Sequence, residues 1–519
     1  MMEFVLLQAV FLPLLLSPVA YLIGRNYGAT AATWFTFGLL LYCTVILINA
    51  ALGGTYEEHY PWTTMFGEFG FLLDGLATPF AIIIYVLCTV LALYSKPYMV
   101  HKFEELFKEH YHQNTTTDGQ TTAVVDSAAL KKYVNHQSGL YFAMFLVFAM
   151  GMLGTVLATN LIEFYIFFEV MLIPSFFLVA FYGDGNRRRI ALQFLFWTHV
   201  GAVVLLLGFL AIGLSVGSFD FVDISEAAID PDILVISAVA IILGLGVKLA
   251  AFIFHVWLPY AHGAAPTPIS ALLSPAMIGI GAYGLFRLIV EFLPQTYGDI
   301  SIMLNIWGVV TMFYGGAMAL MQDDFKRMLA YSSISQMGYL LFAIGSFSTY
   351  GLAGAEMMYV SHGLGKALLF MTAGVIIVQV GTRSFKKLGG LASKMPITAV
   401  CAVIGGLTIM GVPPTSGFMG EWMVFYGALE TAVSEGNDIR SLMFALGLVA
   451  TVMTMSYILW MLKRVFFGKL PENLQNVKEG SWYMLAPMMV LAGFTIVVGI
   501  YPDVFLGQIM PYMQGVMGV

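Results

Sequence analysis

Charge is what this chain has least of. Asp, Glu, Lys and Arg together make up 10% of its 519 residues, against about a quarter in an ordinary soluble domain. That scarcity, with 59% hydrophobic residues, excludes a water-soluble enzyme and makes the chain polytopic in a lipid bilayer. Cysteine is also scarce. Cys43, Cys88 and Cys401 stand far apart in apolar runs with no Cys-x-x-Cys pair, so they read as small packed hydrophobes rather than ligands of an iron–sulfur cluster or zinc. There is no glycine-rich phosphate loop, no low-complexity tract and no separate soluble domain. His199, His255, His262 and His362 lie in or beside apolar runs, but without the repeated, opposed spacing of a haem-binding bundle. The N-terminal run lacks a basic start and an Ala-x-Ala site, and so reads as a retained first span.

What is abundant is apolar runs of membrane-spanning length. They fall near 4–23, 32–52, 72–94, 139–158, 161–182, 190–214, 234–258, 268–292, 302–321, 328–347, 355–380, 397–430, 441–462 and 482–506. The expected fold is an all-α polytopic membrane protein of about 14 transmembrane helices. The twelfth run is over-long and contains Pro413-Pro414, which should break it. Loop charges test the count independently: 19 of the 23 basic residues fall in odd-numbered loops. The even-numbered loops are acidic (Glu57, Glu58, Asp220, Asp223, Glu226, Asp230, Asp232, Asp299, Glu435, Asp438), with Arg440 their single basic residue. Basic loops stay cytoplasmic, so both termini are expected on the outer side of a cell membrane. The longest insert, 96–138, reads as a solvated cytoplasmic loop whose KFEELFKEHYH stretch suits a short surface helix.

Against that background a few ionisable residues are out of place. Lys248 lies 14 residues beyond Leu234 in LVISAVAIILGLGVKLAAFIFHVWLPYAHGAAPTPIS, with no charged neighbour in sequence. A lysine there costs several kcal/mol, and such residues mark ion or proton pathways by default. His255 follows seven residues on, on roughly the same face if the helix continues. Glu169 sits inside NLIEFYIFFEVMLIP, whereas Glu163, six positions earlier, reads as solvated at the membrane edge. Lys366 shares a face with His362 one turn before it, and Glu421 follows the double proline. Each alone suits a static ion pair that fixes helix packing. Four such positions, two beside proline-broken helices, point instead to transport, because broken helices are tolerated in lipid only where they line a polar path. At an effective dielectric of about 20, a carboxylate about 4 Å from an amine contributes roughly 4 kcal/mol. A Glu169–Lys248 pair that opens and closes would therefore load and release a proton. A sodium site needs several oxygen ligands, which a central lysine opposes.

The motifs GVKLAAFIFHVWLPYAHGAAPTPIS, MQDDFKRMLAYSSISQMGY and SHGLGKALLF resemble the antiporter-like, proton-pumping membrane subunits of respiratory complex I. EVMLIPSFFLVAFYG and WLPYAH bring the chain nearest to the M (chain-4) type, which is related to the Mrp cation/proton antiporter subunits. The resemblance implies two inverted five-helix repeats, helices 4–8 and 9–13, with helices 7 and 12 broken. The corresponding divisions are 1–95 (helices 1–3), 96–138 (loop), 139–292 (first repeat), 293–467 (second repeat) and 468–519 (loop and last helix). It further implies that Glu169 pairs with Lys248, that His362 lies on a central hydrophilic axis, and that Glu421 is the acid of an outward half-channel. The implied function is proton translocation by a membrane-arm subunit of a complex I-like NADH (or other donor):quinone oxidoreductase. The candidate working residues are Glu169, Lys248, His255, His362, Lys366 and Glu421. No cofactor is expected on this chain: flavin, iron–sulfur clusters and quinone belong on partner subunits. The partners implied are membrane-arm subunits of the L, N, K, J, A and H types, with protons, water and lipid and no nucleic acid. The alternatives are a subunit of an Mrp-type sodium/proton antiporter, of a membrane-bound hydrogenase or deazaflavin-dependent dehydrogenase, or a membrane-arm subunit that no longer pumps.

The chain departs from the family pattern at four places. Ala250 and Ile253 replace the prolines after the helix 7 lysine, so the break should rest on Gly244 and Gly246 or lie nearer Pro259. Gly279 replaces a helix 8 lysine, which leaves water or Lys366 to bridge the centre. Gln336 stands for a helix 10 histidine and Tyr260 for an aspartate. Lys366 itself is more usual in the L type and in cation/proton antiporters.

Overall fold

The computed structural model describes residues 4–63, 65–115 and 126–518. Two apolar helices, α1 (Val5–Tyr27) and α2 (Ala29–Leu52), lead into an antiparallel hairpin of β1 (Tyr56–Thr63) and β2 (Gly67–Leu73). This hairpin is a two-stranded addition to an otherwise helical fold. Its Phe69 and Phe71 pack against Phe11 of α1 and Phe167, and Glu58 accepts hydrogen bonds from the backbone N–H of Leu6 and Leu7, both 2.9 Å. Those two donors lie in the first turn of α1, where no intrahelical carbonyl can reach them. The hairpin thus anchors one end of the molecule, called the hairpin end below.

Helix α3 (Ala77–Thr115) continues without a break through Lys96, and α4 starts at Ser127 (Ser127–Leu157). Most of the expected 96–138 loop is therefore helical, and its 116–125 portion lies outside the described residues. Helices α1 and α4 approach closely at Gly24 and Gly139: a Cβ on Gly24 would lie 2.4 Å from Gly139 Cα. Small residues matter here because lipid gives helices no hydrophobic reason to associate, so close backbone packing must do it.

The fifth span is stepped: α5 (Leu161–Val170) gives way to α6 (Leu172–Tyr182) at Met171. Pro174 explains the step, since its ring collides with the carbonyl four residues earlier, that of Val170. Next come α7 (Arg187–Val216), the short α8 (Phe221–Glu226), and α9 (Pro231–Leu249), which carries Lys248. After an irregular segment, α10 (Leu258–Ala264) leads to α11 (Thr267–Leu272) and α12 (Gly279–Leu285). A wide π turn separates the last two and accommodates Pro275, and a second π turn at 286–291 ends the span.

The remaining helices are α13 (Pro294–Leu320), α14 (Phe325–Ile344), α15 (Thr349–Val380), α16 (Pro396–Ile409), α17 (Ser416–Glu435), α18 (Asp438–Val465), α19 (Trp482–Ile500) and α20 (Asp503–Met517). Among the described residues, 12 helices are long and apolar enough to cross a membrane, making this a multi-pass membrane protein. The tenth and twelfth expected runs coincide with α14 and with the pair α16–α17. The α11–α12 span, α14 and most of α15 are buried on every side and form the centre of the protein.

Candidate functional site

The polypeptide leaves its helix two residues after Lys248. Ala250 and Ile253 take positive φ angles of 55° and 83°, and a single 3-10 turn at His255–Trp257 precedes α10. Gly244 and Gly246 stay helical, so the break lies on the Pro259 side of Lys248. It survives without proline because side chains satisfy the freed backbone. Trp257 Nε1 donates to the Val247 carbonyl (3.0 Å), Trp307 Nε1 donates to that of Phe252 (3.0 Å), and the Phe252 N–H donates to Thr311 Oγ1 (3.2 Å). The break also separates His255 from the Lys248 face, contrary to the helical expectation. His255 packs instead against Tyr314, ring centroids 4.4 Å apart, with no partner for Nδ1 among the described residues.

Lys248 is 1% exposed and its Nζ has no hydrogen-bond partner among the described residues. It lies 4.5 Å above the ring of Phe168, the residue before Glu169. Glu169 acts electrostatically on Lys248 but does not bond to it. Its Oε2 is instead 3.0 Å from Nδ1 of His199 on α7, while its Oε1 has no partner among the described residues. His199 is thus a second partner for Glu169 that sequence spacing does not expose. Glu163 corrects another expectation: it is wholly buried and accepts from the Gly70 N–H of the hairpin at 3.2 Å.

At the centre, Lys366 on α15 donates to Ser332 Oγ and to the Leu329 carbonyl (3.3 Å) of α14. Ser333 and Ser274 share a 2.6 Å hydrogen bond that ties α14 to the π turn. His362 lies one turn before Lys366 as expected, and His262 is buried nearby; neither imidazole has a partner among the described residues. Lys326, counted above among loop charges, is fully buried and donates to the Ala265 carbonyl. Gln336 Nε2 donates to the Ile409 carbonyl at 3.5 Å. The space over Gly279 is filled by Tyr359: a Cβ there would come within 2.2 Å of its Cε2. Tyr260 is half exposed beside Arg327.

The double proline does interrupt the twelfth run, between α16 and α17, with Gly411 at φ 65°. Glu421 follows on α17 and accepts from Thr451 Oγ1 at 2.7 Å. From there hydroxyls continue inward: Thr451 to Tyr339 at 3.1 Å, Tyr339 to Thr454 at 3.2 Å, and Tyr457 to Thr454 at 3.4 Å. Ser332, Gln336 and Tyr339 stand at four- and three-residue spacing on one face of α14. That face therefore runs from the partner of Lys366 to the hydroxyl chain of Glu421. Glu421 also lines a cavity of about 420 Å³ with Trp422, Phe425 and Tyr426.

At the opposite, basic end a cavity of about 800 Å³ is lined by Tyr98, Lys102, Asp184, Arg187 and Arg383. Lys102 Nζ is 2.8 Å from Asp184 Oδ1, and Arg383 Nη1 is 3.3 Å from Oδ2. Burial pushes the Asp184 carboxyl up, but Lys326, Lys102 and Arg383 outweigh it and hold the group below its ordinary value. Sequence reading also passed over the hairpin-end network. There Arg287 grips Asp74 in a bidentate pair (2.7 and 2.8 Å) and also meets Glu291 and Tyr512 at 2.8 Å. Arg287 and Glu356 both fall inside recognised apolar runs, and that was the signal available for finding them.

Comparison with known proteins shows the family and the fold. The family described as NADH:quinone oxidoreductase/Mrp antiporter, TM matches residues 158–439. F(420)H(2) dehydrogenase subunit M of Methanosarcina mazei is 33% identical over 391 residues, covering 73% of this chain and 77% of that protein. NADH-quinone oxidoreductase subunit M of Rickettsia bellii is 32% identical over 380 residues, covering 73% and 74%. A chain of respiratory complex I from Thermus thermophilus shares the fold at a TM-score of 0.81, with 23% identity and 99% of each chain covered. A chain of the Mrp complex from Dietzia sp. matches at a TM-score of 0.82, with 25% identity, covering 99% of this chain and 52% of that one. The chain belongs to the NADH:quinone oxidoreductase/Mrp antiporter transmembrane family and is a complex I-like, antiporter-type subunit.

Proposed function

We propose that this chain translocates protons as a membrane-arm subunit of a complex I-like quinone oxidoreductase in a prokaryotic plasma membrane, with both termini on the outer side. The observation that carries this reading is Lys248: wholly enclosed, without a hydrogen-bond partner among the described residues, beside the residue before Glu169, and at the end of an interrupted helix. A buried amine is costly as a cation unless a carboxylate approaches it. Glu169 has His199 as its other partner, so exchange between the two would alternately discharge and load Lys248. Protons enter from the cavity at the basic end, reach Lys248, pass Lys366 and His362 along the face of α14, and leave by Glu421. The paired arrangement of the α9–α10 and α16–α17 breaks suits two inverted five-helix repeats. Electron transfer takes place on partner subunits that hold flavin, iron–sulfur clusters and quinone. NADH is the donor by analogy with the relatives, with F(420)H(2) as the other candidate.

The test is proton pumping by the native complex in sealed vesicles. Glu169→Gln or Lys248→Ala should abolish this chain's pumping while the complex stays assembled; full pumping in either variant sinks the reading. A second reading, an Mrp-type antiporter subunit without redox coupling, is favoured by the match to the Dietzia chain and by Lys366. Co-purifying partners separate the two: iron–sulfur and quinone-site proteins for the first, small antiporter subunits for the second.

A further inference from the structure

Helix α15 carries a stripe of buried polar groups that the route above uses only in part. Glu356, Tyr359, His362 and Lys366 follow one another at spacings of three, three and four residues, which sets them along one side of the helix. All are at most 1% exposed. Both oxygens of Glu356, the hydroxyl of Tyr359 and both ring nitrogens of His362 have no hydrogen-bond partner among the described residues. Leaving one buried polar group unpaired is expensive, and three in succession on one stripe are not explained by packing. The side chain of Tyr359 is fixed by stacking on Phe80, centroids 4.0 Å apart, over the bare backbone of Gly279. The stripe starts at Lys366 in the centre and points to the hairpin end. Asp74, Arg287 and Glu291 act electrostatically on Glu356 there, without bonding to it, and Lys366 and His262 act on His362. Glu291 is 23% exposed and makes the network's opening to the surface.

We propose that this stripe is a second outward proton path, with Glu356 as its proton-holding site and Glu291 as its outlet. The inference rests on the proton-translocating reading above. An enclosed carboxyl without a donor is stable as the neutral acid. It passes its proton to the Glu291 carboxylate, which releases it to the surface. The resulting Glu356 carboxylate is reprotonated from His362, itself reloaded from Lys366, by way of the Tyr359 hydroxyl, which takes one proton as it gives up its own. These groups are not hydrogen-bonded to one another, so each transfer requires a side-chain movement or a bridging water. Each step along the helix is about 4.5 Å of rise. Arg287 stays cationic throughout and keeps Asp74 in a two-bond pair, whereas Glu291 is held by one bond from Arg287 and one from Tyr512, so proton exchange falls to Glu291 rather than Asp74.

Two measurements on the isolated native complex test this. Infrared spectroscopy should find a protonated-carboxyl band that disappears in Glu356→Gln and remains in Tyr359→Phe; an unchanged band in Glu356→Gln overturns the site. In sealed vesicles, Glu356→Gln and Glu421→Gln should each lower protons translocated per electron, and the double variant should lose as much as Lys248→Ala. If Glu356→Gln has no effect in either background, the path is overturned whatever the state of the carboxyl. If Lys248→Ala pumps normally, the broader reading fails, while the infrared band still decides whether Glu356 holds a proton.

Discussion

Tyr359 occupies the place that any side chain on residue 279 would need. Its Cε2 lies 2.2 Å from where a Cβ on Gly279 would be, so the missing lysine of the eighth span is replaced by a phenol from α15. Installing the family residue should therefore fail. Gly279→Lys is expected to destabilise the assembled protein by about 1–3 kcal/mol through overpacking, read as a lower melting temperature in detergent. Adding Tyr359→Ala should recover part of the loss. Equal stability of the single variant and wild type would contradict this packing.

The two partners of Glu169 make a kinetic prediction. His199→Ala removes the contact at 3.0 Å and leaves Glu169 its electrostatic interaction with Lys248. The complex should assemble and transfer electrons, but steady-state pumping should slow because the Glu169–Lys248 pair has nothing to open towards. Pumping at the wild-type rate would mean that His199 is only a neighbour.

The break after Lys248 depends on two indole donors. Trp257→Phe removes the hydrogen bond to the Val247 carbonyl and leaves that oxygen unpaired. The expected cost is about 1–3 kcal/mol, measured by thermal unfolding. Trp307→Phe, which frees the Phe252 carbonyl, should behave alike.

The clasp at the basic end gives a pH dependence with a definite sign. Burial raises the Asp184 carboxyl, but Lys326, Lys102 and Arg383 bring it below its ordinary value of 3.8. A carboxyl lowered on folding contributes stability that is complete above its unfolded value and is lost as pH falls through the folded one. The clasp should thus be indifferent to pH near neutrality and loosen only under acid below about pH 4. Hydrogen–deuterium exchange of the backbone amides at 183–187 and 381–384, corrected for the intrinsic pH dependence of exchange, reports the loosening. In Asp184→Asn exchange there should be fast even at neutral pH.

Much of the architecture was legible without coordinates, because in lipid a span must be both long and apolar. Run lengths alone placed the 12 helices that are long and apolar enough to cross a membrane, and the Pro413-Pro414 break followed from the missing donor. Lys248, Glu169, Lys366 and Glu421 stood out because a charge in such a run is costly enough to need a reason. Composition could not tell which loop charges fold inward. Lys326 and Glu163 sit next to polar segments and looked solvated, yet both are enclosed by elements distant in sequence. The hairpin was hidden for a related reason: its aromatic residues find their partners on α1 and α5 rather than along the strand.

The sequence by itself determined that this chain crosses a membrane repeatedly and buries ionisable groups there, since hydropathy and charge are properties of residues. Only the tertiary structure decided the pairings. Glu169 meets His199, Lys366 meets Ser332, Tyr359 covers Gly279, and the helix of Lys248 ends beside indoles rather than prolines. Each of these depends on a contact a few ångströms long between helices far apart in the chain, and no periodicity along one helix encodes which neighbour fills the space beside it.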